Sequence, residues 1–239
     1  DDGAECTKMG LMPALLYVAE MAKGNFDEED IKKKFKAEFN MDFDDFYLLD
    51  KPDHIGGKHH KSQASKYLLY NDPFNALFDS RITGFENEFY ASLRDEFDRA
   101  KVTDKFKLSF AYLRELCDAL SVKSELSFKT RKLYAAGDKK GLLELANSDY
   151  VESILKIKSF QKVFRELWFD ENKPHGFDVQ DMRIGALVGR IESCRERLID
   201  YCDGKYDSIP ELEEPVLEEI PYSAAWSRYC TANTLSHIF

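Results

Sequence analysis

The spacing of apolar residues is the feature that most restricts what this chain can fold into. Apolar side chains recur every fourth position at Phe85, Phe89, Leu93 and Phe97, and this spacing places them on one face of an α-helix. Comparable stripes follow along most of the chain, whereas strand-like alternation is almost absent. Only 12 Gly occur in 239 residues, below the usual share of about 7%. The pattern predicts an all-α fold, with helices too unequal in length for a simple four-helix bundle.

The first predicted helix runs from Leu11 to Lys23 and is apolar on nearly every side. A helix of this kind is expected to be buried on more than one side. Gly24 is expected to end it, because glycine accepts the left-handed backbone conformation that follows many helices. Asp27 then predicts the N-cap of a second helix that continues to Phe39, with acidic residues in its first turn.

Further helices are predicted over residues 43–49, 62–70, 85–101, 104–120, 123–136, 139–146, 150–168 and 179–202. Loops are predicted at residues 51–60 and 172–177, where Pro and Gly cluster. A short strand near residues 227–235 is predicted in the mixed C-terminal segment. The fold class expected from the residues is therefore an irregular multi-helix domain.

Two glycines lie four positions apart inside the longest predicted helix, at Gly185 and Gly189. Each lowers helix stability by about 1 kcal/mol relative to alanine. We expect this cost to be offset by a close approach of another backbone to their bare face, either within the domain or across subunits.

The charge and composition of the chain limit which binding partners and cellular locations are expected. The formal net charge is −10, which repels phosphate backbones and argues against nucleic acid as a partner. No stretch approaches the roughly 20 apolar residues of a membrane span, so no membrane partner is predicted. The five cysteines are dispersed without a C-x-x-C pair, which favours reduced thiols and a cytoplasmic location.

No catalytic residue, metal site or cofactor is predicted from the residues themselves. Acidic pairs sit beside lysines or in first helical turns, where solvated acids are expected. No nucleophile motif or phosphate-binding glycine loop occurs. For His54, His59 and His60, which share one loop with two aspartates, a solvated loop is favoured over a metal site. Most aromatic residues are expected to pack in the core, but Trp168 and Trp226 border loops and could contact a ligand.

Three stretches of the sequence are specific enough to suggest a family. The first is Asp1-Asp2-Gly3-Ala4-Glu5-Cys6. The second is Lys66-Tyr67-Leu68-Leu69-Tyr70-Asn71-Asp72-Pro73, followed by Leu77-Phe78-Asp79. The third spans residues 164–214 and includes Arg165-Glu166-Leu167-Trp168, Asn172-Lys173-Pro174-His175-Gly176-Phe177-Asp178 and Asp181-Met182-Arg183-Ile184-Gly185. Together they resemble the C-terminal part of bacterial glycoside hydrolase family 20 enzymes, in which the first stretch is similar to the end of the last barrel strand.

The resemblance implies a division of the chain into two parts. Residues 1–24 would be the last loop and helix of a catalytic (β/α)8 barrel, and residues 25–239 a C-terminal α-helical domain. The family consists of β-N-acetylhexosaminidases, which release terminal β-linked N-acetylglucosamine or N-acetylgalactosamine. Their substrate-assisted mechanism uses an Asp-Glu pair on an earlier barrel strand, which would lie outside this chain. Asp1 matches the family's acid that contacts the terminal sugar.

Two functions from different classes follow from the resemblance. In the first, the helical domain supports the barrel and takes part in a homodimer, with the Gly185/Gly189 face in close contact. In the second, it is a carbohydrate- or protein-binding module that shapes the outer substrate site through Trp168, His175 or Trp226. A weaker third alternative is an unrelated helical interaction protein. In the first two cases the expected partners are the enzyme's own barrel and an amino-sugar glycan.

Overall fold

The computed structural model describes residues 12–56 and 64–216. Every regular element in these two ranges is helical, which confirms the predicted all-α class. The strand predicted near residues 227–235 lies outside the described residues.

The helices follow one another with short connections. Their bounds are α1 Met12–Ala22, α2 Glu28–Phe39, α3 Phe43–Tyr47, α4 Ala64–Tyr70, α5 Glu86–Arg99, α6 Lys107–Lys123, α7 Leu126–Ala135, α8 Lys139–Asn147, α9 Asp149–Glu171, α10 Phe177–Cys202 and α11 Pro210–Glu213. Short 3₁₀ segments occupy Leu48–Asp53, Asp79–Arg81 and Asp104–Phe106.

All residues of the short helix α4 are buried. Helix α6 packs on α4, α5 and α9, and α10 packs on α8 and α9. The longest helices therefore pack against one another, and α6 joins them to α4. This arrangement resembles no regular bundle, because the helices differ in length from 4 to 26 residues.

Local capping signals mark the starts of α2 and α8, whereas α6 and α7 each begin three residues later than predicted. The Asp27 carboxylate accepts hydrogen bonds from the backbone N–H groups of Glu29 and Asp30, and so caps α2 as predicted. Asp138 accepts from the Gly141 N–H at 2.9 Å and caps α8 in the same way. Both caps satisfy backbone donors that the first helical turn leaves unpaired.

The predicted loop at residues 51–60 begins inside a helical turn rather than at its end. The 3₁₀ segment Leu48–Asp53 contains a buried Pro52, whose carbonyl accepts a 2.9 Å hydrogen bond from the Tyr90 hydroxyl. This contact joins residues 38 positions apart in the sequence. The spacing of residues within the segment carries no information about such a distant partner.

Aromatic side chains fill two regions of the core. In the first, the Phe46 ring meets the edges of Phe35 and Phe106, with centroids 5.2 and 4.9 Å away. In the second, Tyr112 and Phe160 pack with centroids 5.5 Å apart. The expectation that most aromatics pack in the core is met at these positions.

Within residues 12–56 and 64–216, no helix is long and apolar enough to cross a membrane.

Candidate functional site

Trp168 fixes the turn between α9 and α10. Its indole N–H donates a 3.0 Å hydrogen bond to the Lys173 carbonyl, and its ring meets those of Phe164 and Phe177 at 6.0 and 5.8 Å. Gly176 has a φ of 96°, and a Cβ built there would lie 3.4 Å from the indole. The positive φ therefore requires glycine at this position. A Cβ there would be in van der Waals contact with the indole. Through these contacts Trp168 stabilises the turn.

The other predicted site residues do not converge with Trp168 into one described pocket. His175 lies on the same turn and is exposed. Asp1 and Trp226 lie outside the described residues, so nothing in the structure bears on them. Among the described residues, the α9–α10 turn brings together Trp168 and His175.

Gly185 and Gly189 face open space on α10. A Cβ built at either glycine has no neighbour within 4 Å. On the same side of the helix, Met182 is 64% exposed and Val179 is 41% exposed. Among the described residues, then, no second backbone approaches this face. The open side of α10, formed by Val179, Met182, Gly185, Ala186 and Gly189, is called the glycine face below.

Helix α1 also exposes an apolar surface. Leu15, Val18 and Met21 are 59%, 65% and 39% exposed, and they follow one another at three-residue intervals along one side of the helix. They are called the α1 face below. On its other side, α1 packs against α2 and α3. The burial predicted for this helix on more than one side is therefore not achieved within the described chain.

A groove of about 610 Å³ runs between α1 and α2. Its apolar lining comes from Met12, Leu15, Leu16, Ala37 and Phe39, and its polar lining from Glu20, Lys23, Lys34 and Glu38. Leu15 belongs both to this groove and to the α1 face, so the two apolar surfaces are continuous.

A group of buried polar residues lies where α4 and the residues directly after it meet α6 and α10. Fully buried Lys123 donates its ammonium protons to the carbonyls of Leu68 and Asn71, at 3.2 and 2.7 Å. The Asn71 side chain in turn donates to Asp79 and Ser127, each at 2.8 Å. We call Lys123, Asn71, Asp72, Asp79, Ser127 and Arg190 the buried polar centre. Burial lowers the pKa of Lys123 to about 8, although the nearby carboxylates of Asp72 and Asp79 act in the opposite direction.

The two carboxylates of this centre have opposite pKa shifts. For Asp72, burial raises the pKa, but the bidentate contact with Arg190 at 2.6 and 3.2 Å outweighs it, and the pKa lies below its ordinary value. For Asp79, burial dominates and raises the pKa, while hydrogen bonds from Ser127 and Asn71 oppose it. Within the buried polar centre, Asp72 and Arg190 form a direct ion pair.

The buried polar centre is not a sugar site. Asp72 and Asp79 are 2% and 8% exposed, with Arg190 bonded to Asp72 and with Asn71 and Ser127 bonded to Asp79. A sugar could reach them only by displacing the core. Sequence reasoning missed this centre: Asn71, Asp72 and Asp79 belong to the resembling stretch, but no local signal marks Lys123 as buried.

The histidine-rich loop shows no metal site in its described part. His54 Nε2 lies 3.1 Å from Asp50 Oδ2, and Asp53 accepts hydrogen bonds from the N–H and hydroxyl of Ser65. His59 and His60 lie outside the described residues. Among the residues that are described, no three His, Cys, Asp or Glu side chains are grouped as metal ligands.

Comparison with known proteins gives one assignment. The model of the family described as Glycoside Hydrolase 20C C-terminal domain matches residues 44–229, which begin in α3 and include the buried polar centre, the α9–α10 turn and the glycine face. No curated protein matches the sequence significantly. The matched segment covers most of the chain. The chain therefore belongs to the Glycoside Hydrolase 20C C-terminal domain family.

Proposed function

We propose that this chain is a non-catalytic helical domain that supports the catalytic barrel of an exo-β-N-acetylhexosaminidase. In this proposal residues 1–24 belong to the barrel and residues 25–239 form the helical domain. The enzyme would release terminal β-linked N-acetylglucosamine or N-acetylgalactosamine, with its catalytic Asp-Glu pair on the barrel. The observation that carries the proposal is the α1 face, an exposed apolar surface on a helix whose opposite side packs on the domain.

The energetics favour a covered α1 face. Fully burying one Val, Leu or Met side chain contributes about 1.5–3 kcal/mol. Because Leu15, Val18 and Met21 are already partly covered, covering the remainder would stabilise the assembly by roughly 3 to 5 kcal/mol. A barrel wall is a suitable cover, since the helices of such a barrel pack with their apolar sides against its strands.

The test compares Leu15→Ser with Leu155→Ser in the enzyme that contains both barrel and helical domain. Leu155 on α9 is a matched control, because it is 62% exposed and Leu15 is 59% exposed. We expect Leu15→Ser to lower the thermal unfolding midpoint of the two-domain enzyme by several degrees, and Leu155→Ser to leave it nearly unchanged. Equal changes of the unfolding midpoint in the two variants would refute the proposed contact between the α1 face and the barrel.

A second test concerns catalysis. The isolated chain should not hydrolyse a chromogenic β-N-acetylglucosaminide, whereas the enzyme with its barrel should. Hydrolysis by the isolated chain would place the chemistry within these residues and overturn the proposal.

Homodimerisation through the glycine face is a second candidate role. It is supported by the open space over Gly185 and Gly189 and by the exposed Met182 beside them. Light scattering on Gly185→Leu, with Gly185→Ala as the matched small substitution, tests it. A leucine should block a close helix–helix contact and give the monomer mass, while alanine should leave a larger fraction of dimer. Retained folding with an unchanged mass in both variants would exclude this interface.

The binding-module alternative has weaker support, because Trp168 contacts its own turn. A role of His175 and Trp226 in the outer substrate site, and of Asp1 at the terminal sugar, stays a prediction. Glycan binding by the isolated chain that disappears in Trp226→Ala would favour the module over the supporting domain.

A cytoplasmic location is part of the same proposal. It is supported by Cys117, Cys194 and Cys202, which are free thiols, as expected in a reducing compartment. Fractionation of the producing cells tests it, and recovery of the protein outside the cytoplasm would contradict it.

A further inference from the structure

The turn between α1 and α2 is fixed along its backbone. Gly24 has a φ of 85° and ends α1. The Asn25 N–H donates to the Glu20 carbonyl at 3.0 Å, and the Gly24 N–H donates to the Met21 carbonyl at 2.9 Å. This pair of bonds is the Schellman arrangement, which satisfies carbonyls at a helix end.

The start of α2 is fixed in the same turn. The Asn25 side-chain carbonyl accepts a hydrogen bond from the Asp27 N–H at 3.2 Å. Asp27 then caps the first turn of α2 through the N–H groups of Glu29 and Asp30. Hydrogen bonds therefore restrain the chain at the end of α1, inside the turn and at the start of α2.

A cluster of side chains adds a second restraint at the same place. Glu20 is only 4% exposed and accepts hydrogen bonds from Lys23 at 2.8 Å, from Asn25 at 3.1 Å and from Lys34. Asp30 accepts from Asn25 at 2.8 Å and pairs with Lys34 at 2.9 Å. We call Glu20, Lys23, Asn25, Asp30 and Lys34 the elbow cluster.

The charges of the elbow cluster persist over a wide pH range. The hydrogen bond from Lys23, followed by those from Lys34 and Asn25, lowers the pKa of Glu20 to about 2. The contact with Lys34, followed by that with Asn25, also holds the pKa of Asp30 below its ordinary value. Glu20 thus remains ionised and keeps its three donors throughout the neutral and mildly acidic range.

We propose that the elbow cluster holds the barrel and the helical domain at one fixed relative orientation. The inference rests on the proposed function, in which α1 is part of the barrel and α2 is the first helix of the helical domain. The two helices are then the joint between the domains, and Glu20 on α1 is bonded directly to Lys34 on α2. A rotation about this joint would break the Glu20–Lys34 bond and the bonds of Asn25 together. The elbow cluster therefore fixes the angle between α1 and α2, so that the joint does not act as a hinge.

The experiment uses the two-domain enzyme and compares Lys34→Met with Lys33→Met. Lys33 is the exposed neighbour on the same helix and is absent from the hydrogen bonds of the elbow cluster. Small-angle X-ray scattering reports the distribution of domain orientations, and hydrogen exchange reports the opening of the turn. Lys34→Met should broaden the scattering distribution and speed amide exchange at residues 23–30 about tenfold or more. Lys33→Met should resemble the unmodified enzyme in both measurements.

Glu20→Gln is a second variant that retains the shape of the side chain and guards against a Lys34→Met protein that fails to fold. It should produce the same broadening to a smaller degree, because the amide can still accept from Asn25. One orientation in the unmodified enzyme and the same orientation in both variants would overturn the elbow and leave the proposed function intact. Independent movement of the two domains in the unmodified enzyme would also overturn the elbow, because a joint of fixed angle does not permit it. The proposed function fails separately, if Leu15→Ser and Leu155→Ser change the unfolding midpoint equally.

Discussion

Replacing Lys123 with methionine tests how the buried polar centre is stabilised. The methionine side chain has a similar length and no charge, so α6 keeps its packing while the ammonium is removed. In the native protein this ammonium is the donor to the Leu68 and Asn71 carbonyls at the end of α4. The variant leaves both carbonyls buried without that donor.

The magnitude follows from two opposing effects. Leaving a buried acceptor unsatisfied costs about 1–3 kcal/mol, so the loss of donors to two carbonyls costs roughly 2 to 6 kcal/mol. Removing the buried charge offsets part of this loss of stability, because the charged form of Lys123 is itself disfavoured by burial. Burial lowers the pKa of Lys123 from 10.5 to about 8, a difference equivalent to roughly 3 kcal/mol. We therefore expect the Lys123→Met protein to be less stable than the native protein by about 1 kcal/mol near neutral pH.

The pH dependence gives the sharper test. Because the pKa of Lys123 is lower in the folded state than in the unfolded state, the unfolded chain binds more protons between about pH 8 and pH 10.5. The contribution of Lys123 to folding stability therefore rises with pH in this window. The stability difference between native and Lys123→Met proteins should grow by roughly 2 kcal/mol between about pH 7 and pH 10.

Urea unfolding followed by circular dichroism at several pH values measures this difference. The difference is needed because buried thiols and phenols also titrate in alkali. Burial raises the pKa of Cys194 to about 12 and the pKa of Tyr150 well above its ordinary value, which lowers the stability of both proteins alike. A stability difference that stays constant or shrinks as the pH rises would refute the reasoning.

Three further substitutions test other parts of the fold by the same urea unfolding. Arg190→Met should destabilise by about 3–5 kcal/mol, because Asp72 would keep a buried charge without its partner; a loss below about 1 kcal/mol would contradict that account. Asp27→Ala should cost about 1 kcal/mol through loss of the α2 cap, and a neutral result would mean that the cap adds nothing. Trp168→Phe should cost about 1–2 kcal/mol by removing the donor to Lys173, with glycan binding unchanged. A selective loss of binding would favour the module alternative.

The sequence by itself determined the fold class and the starts of capped helices such as α2. Spacings such as Phe89, Leu93 and Phe97 act within one or two turns, and a cap such as Asp27 reaches only two or three residues along the chain. These interactions are complete within a short segment, so a pattern confined to that segment is enough to predict them. The family resemblance likewise came from short stretches, and the match over residues 44–229 confirmed it.

The tertiary structure alone decided which polar groups are buried and which surfaces stay open. Lys123 lies in the core because its ammonium meets carbonyls 52 and 55 residues earlier in the chain, and no helical period carries that information. The open space over Gly185 likewise depends on which helices pack around α10. Residues far apart in sequence meet only when the whole chain has folded, so their contacts are properties of the packing and not of any one segment.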